Sequence, residues 1–187
     1  MVTRIVMALS LLIACNAAIA GNFEDQYTAG TCLFEKKAYT KALEVFQSLT
    51  NQQSTNPEYP AKTRLMIGKC RYYLNEIDGA MLDFRMVATN YSSGNGTAKE
   101  PVVEAIRWLG DGYFLKKEYS SARVEYMKLN QSGATNYSAY GLYQLGRCHA
   151  GLSEATKARE SFQQVMDKYP SSPWAKQAQY QMRKLDK

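Results

Sequence analysis

The chain has 187 residues, 45% apolar, 21% charged and 12% aromatic, a composition of the globular class that excludes a disordered tail or a disulfide-built miniprotein. Its 23 Lys and Arg against 17 Asp and Glu give a formal +6, spread as Lys-Lys pairs and isolated Arg rather than as the clustered stripe that nucleic-acid binding requires. A single histidine, His149, argues against a His-based metal site and against a Ser-His-Asp triad.

Residues 1–20 carry one cation at Arg4, an almost unbroken apolar run from Ile5 to Ala14, and the small-residue ending Ala18-Ile19-Ala20 before Gly21. This is the pattern of a secretory signal. The run falls short of the roughly 20 apolar residues of a membrane helix. Two cleavage sites compete. Ordinary signal peptidase would cut before Gly21, whereas Leu12-Ile13-Ala14-Cys15 resembles a bacterial lipobox, in which Cys15 would be lipidated and become the N-terminus. The remainder, 21–187, is expected to form one domain, exported to the periplasm or to the periplasmic face of an outer membrane.

From Phe23 onward one pattern recurs. Gly30, Gly68, Gly110 and Gly146 are each followed twelve residues later by Ala42, Ala80, Ala122 and Ala158, and four residues after that by Phe46, Phe84, Tyr126 and Phe162. The glycines lie 38, 42 and 36 residues apart. Small residues let two helices approach closely, and an aromatic one turn beyond fills the space they enclose. Each unit is therefore predicted to be a helix A, a tight turn and a helix B, with apolar Ala29, Ile67, Leu109 and Leu145 before the glycines. The turns are expected at Lys36–Tyr39, Leu74–Ile77, Lys116–Tyr119 and Gly151–Glu154, with Tyr39, Ile77 and Tyr119 packing back over them.

Linkers are read at 51–60, 91–97 and 130–136, all rich in turn-forming residues. Four N-x-S/T triplets, at Asn90, Asn95, Asn130 and Asn136, are read as turn chemistry. After Tyr169-Pro170, residues 174–185 are predicted to form a last amphipathic helix whose Trp174, Ala178, Met182 and Leu185 cover the end of the array, as terminal repeats need.

The register resembles that of tetratricopeptide repeats, in the fourth unit above all: Leu145-Gly146, Ala158, Phe162 and Tyr169-Pro170. The family's leading Trp is replaced by Gln26, Arg64, Ile106 and Leu142, and its Tyr three residues after the glycine by Leu33 and Arg71, with Tyr113 kept and His149 in unit four. The resemblance implies an all-α solenoid of about four helical hairpins with a C-terminal capping helix, a non-catalytic scaffold whose A helices line a concave groove for a segment of another protein.

Carried over residue by residue, the groove rows are Tyr27, Leu65, Arg107 and Tyr143; Thr31, Lys69, Asp111 and Arg147; and Phe34, Tyr72, Phe114 and Ala150, with Tyr73 and Trp108 beside them. Such a groove suits an extended or helical protein segment with apolar anchors and some acidic character. The carboxylate-clamp subfamily is a poor match, because Thr31, Lys69 and Asp111 stand where its asparagines would. Residues 158–178 are similar to repeats of two bacterial envelope families, the Tol-Pal accessory proteins and the TPR lipoproteins of outer-membrane β-barrel assembly. Self-assembly, or membership of a secretion or surface complex, is the alternative role. No cofactor, metal or nucleic acid is expected as a partner, and a membrane only through lipid on Cys15.

Cys32, Cys70 and Cys148 share one repeat position, two residues after the glycine, where unit three has Gly112. Equivalent positions in stacked hairpins lie on the order of 10–20 Å apart, beyond the limit of about 7 Å between bridged Cα atoms. Unpaired, buried fillers are expected.

Overall fold

The computed structural model describes residues 21–91, 100–133 and 135–185, apart from the side chains of residues 135 and 136. The leader with Cys15, the Asn95 triplet and most of the second linker lie outside the described residues. Among the described residues the secondary structure is helical throughout, with no strand. The helices are α1 (Phe23–Glu35), α2 (Tyr39–Leu49), α3 (Tyr59–Tyr73), α4 (Ile77–Asn90), α5 (Glu100–Leu115), α6 (Tyr119–Gln131), α7 (Thr135–Gly151), α8 (Ala155–Lys168) and α9 (Pro173–Leu185). The described residues fall into two compact units, divided between Met86 and Val87.

The small-residue spacing works as the sequence predicts. A Cβ added to Gly30, Gly68, Gly110 or Gly146 would lie 2.8, 2.6, 2.6 or 2.5 Å from a ring carbon of Phe46, Phe84, Tyr126 or Phe162. The rings therefore lie directly on the A-helix backbone. Ala42, Ala80, Ala122 and Ala158 are wholly buried, as are the three rings of Phe46, Phe84 and Tyr126, and Phe162 is nearly so. Burying such an aromatic side chain removes roughly 150–250 Å² from water, which makes these four rings the largest apolar contribution of each hairpin.

All four hairpin turns close in the same way. Lys37, Asn75, Lys117 and Ser153 have φ of 61°, 65°, 60° and 61°. Each donates its N–H to the carbonyl three residues back, and the next residue donates to the carbonyl five back, as in Lys117 to Phe114 at 3.0 Å and Glu118 to Tyr113 at 2.9 Å. This is the paired bonding of a Schellman motif, which satisfies carbonyls that the end of a helix leaves open. A left-handed residue with a Cβ costs about 1–2 kcal/mol. Part of that is recovered because glycine makes the unfolded chain more flexible. Lys117→Gly is accordingly expected to stabilise the protein by about 0.5–1 kcal/mol, read as a higher urea midpoint at unchanged slope.

In the first unit α3 packs on α2 and reaches α1. The core there joins Ala42, Phe46 and Leu49 of α2 to Met66, Ile67 and Cys70 of α3. In the second unit α6, α7 and α8 pack in succession and α9 closes on α8 and α7. Ala178 is fully buried in that core, and Trp174, Met182 and Leu185 pack against it, as the sequence predicts for a covering helix.

Local signals set the helix starts. Asn22 Oδ1 accepts the N–H of Asp25 at 3.1 Å ahead of α1, with Glu24 and Asp25 in its first turn. Pro60 sits in the first turn of α3, where its missing N–H costs nothing. The third linker is shorter than expected: α6 runs through Asn130 to Gln131 and α7 starts at Thr135. Asn90 ends α4, Asn130 lies in α6 and Asn136 in α7, so these three asparagines are helical rather than in turns; beside Asn130, buried Leu129 holds the last turn of α6 in place.

Candidate functional site

In the first unit the groove register falls on α1 and α3. Tyr27 lies edge-on to Phe46 and Tyr59, with centroids 5.5 and 4.9 Å away, and Thr31 Oγ1 turns back onto the Thr28 carbonyl at 2.8 Å. Phe34, Tyr39 and Tyr73 form an aromatic cluster: Phe34 lies 5.3 Å from Tyr39 and 5.6 Å from Tyr73, and the last two stack at 4.7 Å and 9°. Tyr72 meets Tyr73 edge-on at 5.9 Å, and Lys69 Nζ lies 5.3 Å over the Phe34 ring. Tyr73 is 48% exposed and Phe34, Lys69 and Tyr72 are half-buried. Leu65 departs from the expectation, since it is only 5% exposed and belongs to the core. An aliphatic side chain at that register has no polar end to draw it to water.

Sequence reasoning missed a buried ion triad in this unit. Asp83, 1% exposed, accepts Arg64 Nη1 at 3.1 Å and Arg71 Nη1 at 2.5 Å. Arg64 and Arg71 occupy the positions where the repeat family carries its Trp and Tyr. Replacement of both aromatics by arginine within one unit, with an aspartate three residues after Ala80, was the available signal.

In the second unit the register falls on α5 and α7. Arg107 Nη1 donates to Asp111 Oδ2 at 3.0 Å and its guanidinium covers the Trp108 ring at 4.1 Å. Tyr126 Oη donates to Asp111 Oδ1 at 2.7 Å, and Tyr140 Oη donates to the same oxygen. Gln144 Nε2 donates to Tyr140 Oη at 2.6 Å, and Arg147 Nη1 donates to Gln144 Oε1 at 2.9 Å. Arg147 lies 4.2 Å over Phe114, whose ring meets Tyr119 at 5.2 Å. A cation from the next A helix thus rests on the phenylalanine four residues after the glycine in both units, Lys69 on Phe34 and Arg147 on Phe114.

Three expected groove residues here turn inward. Trp108 is 7% exposed, lying beneath Arg107 with its Nε1–H donated to Glu104 at 3.2 Å. Tyr143 is 5% exposed because Trp174 stacks on it at 5.3 Å and Phe162 flanks it at 5.9 Å. Asp111 spends its oxygens on Tyr126, Tyr140 and Arg107. Unit three is the one hairpin with a tyrosine at the aromatic position, and Asp111 is the acceptor that its hydroxyl needs.

Burial is the larger influence on Asp111 and raises its carboxyl above the usual range, against the pull of Arg107 and three hydrogen bonds. Burial, with Asp111 beside them, also pushes the Tyr126 and Tyr140 hydroxyls upward. A carboxyl raised on folding adds stability below its unfolded value that is lost as pH rises through the folded one. Relative to Asp111→Asn, the native chain is expected to be most favoured below the unfolded carboxyl's value of about 3.9 and to lose that advantage as pH rises through the raised folded one, measured as paired urea midpoints.

His149 Nδ1 lies 2.5 Å from Glu154 Oε2, within the turn that follows its helix, and this bond holds the Glu154 carboxyl below its ordinary range. The histidine is packed against a turn, as the repeat register implies. Cys32, Cys70 and Cys148 are all free thiols. Burial pushes Cys70 and Cys148 up to about 12, each lying where its A helix meets the preceding hairpin. Cys32, on α1, has no described hairpin before it and is only half-buried. Brief iodoacetamide treatment of the native protein followed by peptide mapping should alkylate Cys32 and leave Cys70 and Cys148 unmodified until denaturant is added. Labelling of all three at one rate would contradict this placement.

Among the described residues no cluster of three His, Cys, Asp or Glu could hold a metal, and no helix is long and apolar enough to cross a membrane. A shallow cleft of about 560 Å³, lined by Ala139, Lys168–Ser172, Pro173 and Trp174, lies beside the start of α9.

Residues 140–172 match the family model described as "Tetratricopeptide repeat". No curated protein sequence matches the chain. Among solved structures, a tetratricopeptide repeat protein from Parabacteroides merdae superposes with TM-score 0.71 at 13% identity, over 88% of this chain and 60% of that one. The chain therefore spans less than two thirds of that relative. A MamA protein superposes with TM-score 0.65 at 16% identity over 79% and 73%, and Pseudomonas aeruginosa pilF with 0.62 at 19% over 86% and 67%. At these identities the likeness is one of fold, and none of these comparisons indicates a catalytic family. The family match covers the fourth hairpin, and along most of the chain the all-helical architecture is that of tetratricopeptide-repeat solenoids.

Proposed function

We propose that the protein is an exported adaptor of the bacterial cell envelope, binding a segment of another protein along the inner faces of its A helices and catalysing nothing. One observation carries the binding reading. In each unit, partly exposed aromatic and cationic side chains follow one another at groove register, Phe34, Lys69, Tyr72 and Tyr73 in the first and Arg107, Phe114 and Arg147 in the second. Aromatic residues and arginine are the side chains that dominate binding energy at protein interfaces. Export rests on the leader sequence at 1–20, and Cys15 is the residue that lipid would occupy. The similarity of residues 158–178 to Tol-Pal accessory and outer-membrane assembly repeats supports a role in envelope maintenance.

Pull-down from an envelope extract of the source organism tests the binding face. The variant Lys69→Ala, Tyr72→Ala, Tyr73→Ala should lose partners that the parent retains while keeping its helical circular dichroism. A folded variant that retains every partner would place binding elsewhere. The mass of the exported chain decides between a diacylglyceryl group on Cys15 and a free start at Gly21.

A second reading, self-assembly, is favoured by Val124 and Met127, which are 49% and 46% exposed and one turn apart on α6. Light scattering after size exclusion separates the two: a monomer at every concentration removes self-assembly.

A further inference from the structure

Two guanidiniums and one carboxylate stand in a single hydrogen-bonded chain in the second unit. Arg107 bonds Asp111, Asp111 accepts from Tyr140, Tyr140 accepts from Gln144, and Gln144 accepts from Arg147. Arg107 takes the carboxylate, and Arg147 receives only the neutral oxygen of an amide. Among the described residues no carboxylate approaches the Arg147 guanidinium within 4.0 Å; its other neighbours are the faces of Phe114 at 4.2 Å and Tyr143 at 5.9 Å.

This arginine is fixed before any partner arrives. Stacking on Phe114 and the bond to Gln144, itself 5% exposed, hold the guanidinium plane. Little side-chain entropy is left to lose on binding. The bond from Nη1 to Gln144 uses one of five N–H donors, and the fork geometry of the remainder matches a carboxylate. Arg147 is half-buried, so an ion pair there is screened less than at an open surface. Without Arg4 of the leader the exported chain keeps a formal +5, which favours approach of an acidic partner.

We propose that Arg147 is an anchor for an aspartate or glutamate side chain of the protein segment bound along the A helices, with Phe114 as the shelf beside it. The proposal rests on the groove reading above and names the chemistry that the groove selects.

The probe is a random twelve-residue peptide library displayed with both ends blocked by flanking sequence, so that acids can come only from side chains. It is selected on the full exported protein and, separately, on Arg147→Gln. Peptides from the parent are expected to be enriched in Asp or Glu at one position, and this enrichment should vanish on the variant. For one such peptide, synthesised acetylated and amidated, Glu→Gln should weaken binding to the parent about tenfold or more and leave binding to Arg147→Gln within about twofold. Arg147→Lys, which keeps the charge without the fork, should fall between, and circular dichroism should be unchanged in both variants.

Selected peptides without an acidic position, or an equal penalty for Glu→Gln on both proteins, would overturn the anchor while leaving the groove reading intact. Free-acid peptides that bind only through their C-terminal carboxylate would overturn it in favour of chain-end recognition. Failure to select any peptide on either protein would overturn the groove reading and the anchor together.

Discussion

Asp83→Ala is expected to lower stability by about 3 kcal/mol, the lower part of the range for removing one partner from a buried ion pair, in urea unfolding followed by circular dichroism. The carboxylate is 1% exposed and serves two guanidiniums from α3, so its loss removes the buried anion that Arg64 and Arg71 share. Their side chains are 33% and 25% exposed, which lets water reach them and keeps the loss from being larger.

The singles should be unequal. Arg64→Ala leaves Asp83 with Arg71 at 2.5 Å, so its cost should be well below that of Asp83→Ala. Arg71→Ala should cost more than Arg64→Ala. Arg71 also lies 3.8 Å from Glu76, and its Cδ lies 3.3 Å from where a Cβ on Gly79 would stand, so it packs over the start of α4 as well. Equal losses for Asp83→Ala and Arg64→Ala would mean that the aspartate does not hold the two arginines as a unit.

Gly146→Ala is the second large effect, and its sign should depend on one other residue. A Cβ at position 146 would lie 2.5 Å from Phe162 Cε1 and 2.7 Å from Cδ1, inside any real contact distance. The ring is 1% exposed and has no room to retreat. Overpacking of this kind costs about 1–3 kcal/mol. Phe162→Ala alone should cost about 3–5 kcal/mol through lost burial and the cavity left behind.

With the ring gone the clash is gone, and only backbone propensity remains. Alanine is better than glycine inside a helix by about 0.8–1 kcal/mol. Gly146→Ala should therefore destabilise the parent and stabilise the Phe162→Ala variant, a reversal measured by a double-mutant cycle in urea. The same sign in both backgrounds would show that the glycine answers to something other than the ring.

The hairpins were legible in the sequence because their cause is local. Glycine, alanine and aromatic lie within sixteen residues of one another, and the chain between them is two helices and a turn of fixed length. The turn positions were legible too, but their left-handed residues were not. Lys37, Lys117 and Ser153 carry no mark of that conformation, which follows from two backbone bonds at each helix end rather than from side-chain chemistry.

The candidate site was legible only in part. Phe34, Lys69, Tyr72, Arg107 and Arg147 lie on their expected helices with accessible surface, whereas Leu65, Trp108 and Tyr143 are buried and Asp111 is engaged from within.

By itself the sequence determined the helices, their pairing and the four places where a ring must meet a backbone, since short-range spacing dictates each. Which groove-register side chains remain open to a partner was decided by the tertiary structure. Tyr143 is covered by Trp174, 31 residues further on, and Asp111 is claimed by Tyr140, 29 residues further on, so their accessibility depends on atoms that no local pattern brings near.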